Sequence, residues 1–321
     1  MKIVMLDKKT LGYDSDLSEL EKQGELVIYE TTSEDEVIER IQDADAVIIN
    51  KVVIGKREMD AAPKLKYIGI TATGTNNVDL AYAAKKGITV TNVKGYSTKV
   101  VAQHTVALLL SVMEQVAYYD RYIKSGEYSR GSLFTYLEKS FMELDGHTWG
   151  IIGLGEIGRE VAGLAKAFGC RVIYYSTSGK NNNSEYERVD FDTLLKESDI
   201  VSVHAPLTEA THNLMNKEAF SKMKNTAFFI NVGRGPIVDE KALADAIDNG
   251  EIAGAGLDVF VKEPLSADNP LMNIADKDKI VMTPHIAWAS REARARLVME
   301  VTENLKAYIM GEKRNVVNPL Q

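Results

Sequence analysis

Thr148-Trp-Gly-Ile-Ile152-Gly153-Leu-Gly155-Glu-Ile-Gly158 is the stretch on which the reading of this chain turns. Five residues of strand character run straight into a G-x-G-x-x-G spacing, and an amphipathic segment opens behind it, predicting a helix from Ile157 to Ala167. Alone the glycine spacing is weak; between a strand and a helix it has the context that a dinucleotide turn requires. The first glycine allows a tight turn, the second lets backbone approach a pyrophosphate, and the third lets helix and strand pack closely. The helix amino terminus adds free N–H groups and the positive end of a dipole. Gly153, Leu154, Gly155, Glu156, Ile157 and Gly158 are therefore the core of a candidate NAD or NADP site.

Outward from this stretch, short β-branched runs alternate with longer amphipathic ones, the pattern of parallel α/β architecture. Strands are predicted near 2–6, 26–29, 46–50, 67–71 and 88–92, then at 148–152, 171–175, 199–203, 227–231, 254–257 and 280–283. A long helix is predicted from Ser97 or Thr98 to about Lys124, and a last one from about Ser290 to Met310. The expected fold is two parallel-sheet α/β domains, one flavodoxin-like and one dinucleotide-binding, with a cleft between them. Residues 1–98 plus 288–321 are expected to form the substrate domain and 99–287 the dinucleotide domain. The segment 118–146, rich in tyrosine and phenylalanine, reads as an arm that buries its aromatics in a homodimer.

Composition narrows the class. Over 321 residues there are 38 basic and 46 acidic side chains, a net charge of −8, which argues against nucleic acid or an anionic membrane as the main partner. The longest apolar stretch, 106–113, falls far short of the ~20 residues of a membrane span. One cysteine, Cys170, excludes an intrachain disulfide, and no His, Asp and Glu cluster has metal-ligand spacing. A cytoplasmic, metal-free protein is the expectation.

Polar residues close the strands of the second series: His204-Ala205-Pro206, Asn231-Val232-Gly233-Arg234-Gly235, Asp258 and Thr283-Pro-His285. Ligands bind at that edge of open α/β sheets. Arg234, Glu263 and His285 suit the reduction of a 2-keto acid. A guanidinium grips a carboxylate and polarises the neighbouring carbonyl, a histidine exchanges the hydroxyl proton, and a carboxylate orients its ring.

Taken together, these motifs resemble the D-2-hydroxyacid dehydrogenase family over essentially the whole chain. Gly256-Leu-Asp-Val-Phe260 with Glu263-Pro264 and Thr283-Pro-His-Ile286 belong to the same signature set. The glycerate dehydrogenase (hydroxypyruvate reductase) group is the nearest in flavour, on Gly95-Tyr-Ser-Thr98, Ser125-Gly-Glu-Tyr128 and Pro284-His-Ile-Ala-Trp-Ala-Ser290. The resemblance implies hydroxypyruvate or glyoxylate as substrate, Arg234 as substrate ligand, His285 as acid/base and Glu263 as its partner. Asp258 would help set the nicotinamide, and His204, Ala205, Pro206, Val232 and Gly233 would line the cofactor. The loop Ala72-Thr73-Gly74-Thr-Asn76 would hold the substrate carboxylate, with Lys51 and Trp288 as further wall residues. Alternatives are an NAD(H)-sensing, corepressor-like binding protein of the same fold and a D-lactate-type dehydrogenase.

One position departs from the family pattern. Where many members carry aspartate for the adenosine ribose, this chain has Ser176, followed by Thr177. No carboxylate repels a 2′-phosphate and no arginine stands in the turn to grip one; Lys180 could attract one, although it reads rather as a solvated residue of an Asn-rich turn. From the turn alone neither cofactor is strongly selected and both are expected to serve; the glycerate dehydrogenase resemblance implies a slight preference for NAD.

Overall fold

The structure, a computed structural model, describes residues 1–318. The chain divides into two compact units: Met1–Ser97 together with the segment from Ala289 onward, and Thr98–Trp288.

In the first unit five parallel strands, Lys2–Met5 (β1), Glu25–Ile28 (β2), Ala46–Ile49 (β3), Tyr67–Ile70 (β4) and Thr89–Thr91 (β5), lie in the order β2-β1-β3-β4-β5. The central runs are apolar throughout because both faces of a parallel sheet are covered; Ala46-Val-Ile-Ile49 is wholly buried. The helix Arg291–Ile309, capped by Ser290, packs on β4, where the Tyr67 and Tyr308 rings lie 4.9 Å apart. Beyond it Asn318 takes the N–H of Val90 and donates to Ile88 O, fastening the chain to the β5 edge.

In the second unit seven parallel strands, Thr148–Ile152 (β6), Arg171–Tyr175 (β7), Glu187–Arg188 (β8), Ile200–Val203 (β9), Phe228–Asn231 (β10), Gly254–Leu257 (β11) and Ile280–Met282 (β12), run β12-β11-β10-β9-β6-β7-β8. The chain builds outward from β6 to β8, crosses back, and builds the other way from β9. The order therefore reverses between β6 and β9, the switch point where an open sheet offers a crevice to a ligand.

Two features differ from the sequence-based expectation. The helix begun at Thr98 stops at Met113, and a second runs Val116–Lys124, bent from the first by 58°. The cause is burial: Leu108, Leu109, Val112 and Met113 end the apolar stripe, whereas the second helix buries no residue. Gln115 takes the bend at φ 56°, and its side-chain amide donates to Val112 O and Asp278 O. The second difference is β8, a two-residue strand without any apolar run to announce it. No single helix among the described residues is long and apolar enough to cross a membrane.

Candidate active site

The three motif glycines answer to different demands. Gly153 leaves β6 at φ 93°, and a Cβ there would stand 2.8 Å from the backbone N and Cα of Ala205. Gly158 lies in the helix Glu156–Ala167, where a Cβ would stand 2.3 Å from Gly153 O. Both are glycine because the protein packs against itself. Gly155, the cap of that helix, is not: a Cβ there would meet nothing within 4 Å. No protein contact requires a glycine there, so the turn leaves room for a ligand, and the first-turn N–H groups beside it have no helical acceptor. The site thus fits a pyrophosphate. The turns after β9 and β10 close in on the same spot, since a Cβ on Gly233 would lie 3.2 Å from Ala205 O.

His204 ends β9 with a neutral ring. Its Nε2 is 3.0 Å from Ser202 Oγ, which also receives the indole N–H of the buried Trp149 at 2.9 Å. That leaves the Ser202 hydroxyl proton for Nε2, and burial pushes the His204 pKa down to about 3.

His285 and Glu263 come from different turns and meet. His285 Nδ1 lies 2.7 Å from Glu263 Oε2, and Glu263 Oε1 accepts the Phe260 N–H at 3.0 Å. His285 itself has φ 56°, a conformation uncommon for a residue with a side chain. Asp258, wholly buried at the end of β11, holds the loop in that shape. It accepts the N–H groups of Ile286 and Ala287, each at 2.8 Å, and the Thr283 hydroxyl at 2.6 Å. His104 Nε2 braces Thr283 at 3.0 Å from the other side, and the Trp288 indole donates to His285 O at 2.9 Å. Gly235 brings the Arg234 turn against the Glu263 turn, for a Cβ on it would fall 1.9 Å from the Phe260 carbonyl carbon.

The sequence comparison gives this arrangement its relatives. Residues 106–287 match the model of the "D-isomer specific 2-hydroxyacid dehydrogenase, NAD binding domain". The chain belongs to that family. It is 38% identical to the hydroxypyruvate reductase of Blautia hydrogenotrophica, covering 99% of this chain and 100% of that one. It is 36% identical to the glycerate dehydrogenase of Methylorubrum extorquens, with 98% of each covered. The crystal structure of an NADPH-dependent glyoxylate/hydroxypyruvate reductase from Sinorhizobium meliloti, in complex with citrate, is similar with TM-score 0.86 at 29% identity, covering 100% of this chain and 99% of that one.

In this member of the dehydrogenases, Arg234 is exposed and its guanidinium bonds to Gly233 O at 2.8 Å, while Asn231 holds its backbone carbonyl at 3.0 Å. Lys51, Thr73 and Gly74 lie in the other unit. Lys51 follows β3 and is exposed; its backbone N–H, with those of Asn50 and Val52, goes to the buried Asp7 carboxylate, whose pKa burial raises against the pull of those bonds. Thr73 follows β4, with its hydroxyl on Val93 O at 2.8 Å.

At the ribose turn, Ser176 is buried and its Oγ receives the Asn181 N–H at 3.3 Å, which closes the turn. Thr177 is the partly open hydroxyl there, and Ser178 the exposed one. The Asn-rich turn is also well tied: Asn181 donates to Leu154 O, and the Tyr174 hydroxyl links Asn181 O to Asn183 N. Both Asp258 oxygens are engaged with the loop that carries His285. Sequence reasoning gave no role to Thr283, which bonds to the Asp258 carboxylate behind the His285 loop, or to Gly235, which seats the Arg234 turn. No group of three or more His, Cys, Asp and Glu among the described residues has a metal-binding arrangement.

Proposed function

We propose that this protein reduces hydroxypyruvate and glyoxylate to D-glycerate and glycolate. The coarser statement is secure: it is an NAD(P)-dependent oxidoreductase of the 2-keto acid/D-2-hydroxy acid class. The narrower substrate assignment is supported by relatives named hydroxypyruvate reductase and glycerate dehydrogenase along nearly their whole length.

The observation that carries the mechanism is the His285 Nδ1–Glu263 contact of 2.7 Å. With Nδ1 engaged, Nε2 is the nitrogen that exchanges a proton with substrate. Arg234 swings from Gly233 O to take the substrate carboxylate in a bidentate pair and to polarise the 2-keto oxygen. On the family resemblance Thr73 and Gly74 are assigned as substrate-binding residues, with Lys51 and Trp288 as lesser contributors. The residues that would hold the cofactor are Gly153 to Gly158, Thr177, the 204–206 turn and Val232-Gly233. When bound, the nicotinamide supplies the hydride for C2. His285 Nε2 delivers the proton to the resulting alkoxide, and Glu263 stabilises the ring as it changes charge.

Initial rates of NADH and NADPH oxidation with hydroxypyruvate, glyoxylate, pyruvate and branched 2-keto acids test this reading. The highest kcat/KM is expected for hydroxypyruvate or glyoxylate; pyruvate in first place would overturn the substrate assignment.

A homodimer is part of the proposal. Tyr122 and Tyr136 stack at 3.9 Å and so pack within the arm, but Leu133, Phe134, Leu137 and Phe141 stay exposed, Phe134 at 88%. An apolar cluster of that kind is expected to be covered. Sedimentation of wild type and Phe134→Glu checks it: a wild-type monomer would refute the dimer. A cytoplasmic location is the companion inference, supported by the single, buried cysteine.

A further inference from the structure

The turn after β7 carries no arginine, yet the tertiary structure brings one to it. Arg188 belongs to β8, which pairs in parallel with β7 through Tyr174↔Arg188. Its Nη1 donates to Asn182 Oδ1 at 2.7 Å, and its Nη2 lies 4.0 Å from where a Cβ on Gly179 would stand. The guanidinium is thereby held over the turn 176–183, at the end of the strand beside the glycine motif. Lys180 is exposed on the same turn, and Thr177 and Ser178 add hydroxyls.

The charges nearby matter more than their number. Three carboxylates flank Arg188 in sequence, and each is already engaged. Glu187 pairs with Arg171 at 2.7 Å, Glu185 with Lys166 at 3.7 Å, and Asp190 caps the next helix through the N–H and hydroxyl of Thr193. Among the described residues no ion pair neutralises Arg188 or Lys180. The turn 176–183 itself contains Lys180, hydroxyl donors and no acidic residue, with Arg188 held over it, while Asn181 anchors it to the glycine motif through Leu154 O. That donor set suits a phosphate dianion and offers nothing special to a bare ribose hydroxyl.

We propose that Arg188, aided by Lys180 and the Thr177 and Ser178 hydroxyls, forms a 2′-phosphate site that makes this enzyme select NADPH over NADH. This rests on the dinucleotide reading above and changes the balance expected from the turn alone. Sequence reading overlooked Arg188 because a two-residue strand has no periodicity, and the parallel pairing that carries the arginine back is a tertiary fact.

The test separates the 2′-phosphate from everything else by calorimetric titration of the full chain with 2′,5′-ADP and with 5′-AMP, which differ only in that group. Wild type is expected to bind 2′,5′-ADP about ten- to a hundredfold more tightly, the range of one charge-assisted contact. The gap should shrink as salt rises. Arg188→Gln should abolish most of the gap and leave 5′-AMP binding unchanged; Arg188→Lys should keep part of it. The NADPH/NADH ratio of kcat/KM should fall in parallel. Equal affinity for the two nucleotides in wild type, or a gap that survives Arg188→Gln, overturns the proposal while NADH turnover leaves the dinucleotide reading standing. Failure to bind either nucleotide, with no oxidation of NADH or NADPH, overturns both.

Discussion

Asp258 sets the backbone of His285: its carboxylate accepts the two N–H groups that follow the histidine, Ile286 and Ala287, each at 2.8 Å. A non-glycine residue at φ 56° costs of order 1 kcal/mol or more, and it persists only where surrounding bonds over-determine it. The carboxylate supplies that constraint from a wholly buried position, and Thr283 and His104 extend it. Asp258→Asn should therefore impair both folding and catalysis. Its amide would present N–H to an acceptor-only position, leaving a loop N–H or the Thr283 hydroxyl unpaired at about 1–3 kcal/mol. Urea unfolding and kcat should both fall, with Kd for the reduced cofactor changed far less. An unchanged kcat would show that the clamp is dispensable.

His285→Ala should leave cofactor binding nearly intact and cut kcat by about 10²–10⁴-fold, the usual worth of a positioned acid/base. Fluorescence titration with reduced cofactor and steady-state rates decide it together. Turnover within about threefold of wild type would remove His285 from the mechanism.

Arg234→Lys keeps the charge and loses the planar fork. Because the proposed role is bidentate, kcat/KM for the keto acid should drop by at least about a hundredfold, roughly 2.7 kcal/mol. The cofactor's Kd should move far less, since the Arg234 guanidinium is exposed and its proposed ligand is the substrate carboxylate rather than the dinucleotide. Wild-type kinetics in the lysine variant would make this arginine structural.

Gly155→Ala and Gly158→Ala should part company. A methyl at 158 runs into Gly153 O at 2.3 Å, so that variant should lose stability, measured as a lower Tm. A methyl at 155 meets no protein atom within 4 Å. Its Tm should stay near wild type while affinity for NADH and NADPH drops at least tenfold. Normal cofactor binding by Gly155→Ala would mean that no ligand approaches this glycine.

His204 predicts a pH effect. Its folded pKa of about 3 lies below the ~6.5 of an unfolded histidine, so the unfolded chain takes up the proton first as pH falls. The stability contributed by the neutral ring is complete above about pH 7 and is lost toward acid. The loss from this residue is about 2 kcal/mol between about pH 7.5 and pH 5. His204→Gln should flatten the acid limb of unfolding free energy against pH by that amount. An unaltered limb would show that His204 titrates in the native protein.

Much of this molecule was legible locally. Alternation of β-branched and amphipathic runs specifies parallel α/β units because strand and helix periodicities are properties of neighbouring residues. The spacing Gly153-x-Gly155-x-x-Gly158 marks its own turn, since the packing that demands glycine at 153 and 158 is local or lies just across the switch point. Arg234, Glu263 and His285 stood out as polar residues beyond apolar strands, although their pairing came from family resemblance rather than from spacing. What only the tertiary structure decided involves partners far apart in sequence: Asp258 on the loop of His285, Gly235 against Phe260, Ser176 turned inward by Asn181, and Arg188 carried by β8 to the turn after β7. Where an apolar stripe ends is local, but whether a helix continues past it depends on what lies underneath, which is why the helix bends at Gln115 and does not run on to Lys124. Hydrogen bonds and close backbone contacts between turns leave no period in the chain; they arise only once the strands have aligned and set those turns side by side.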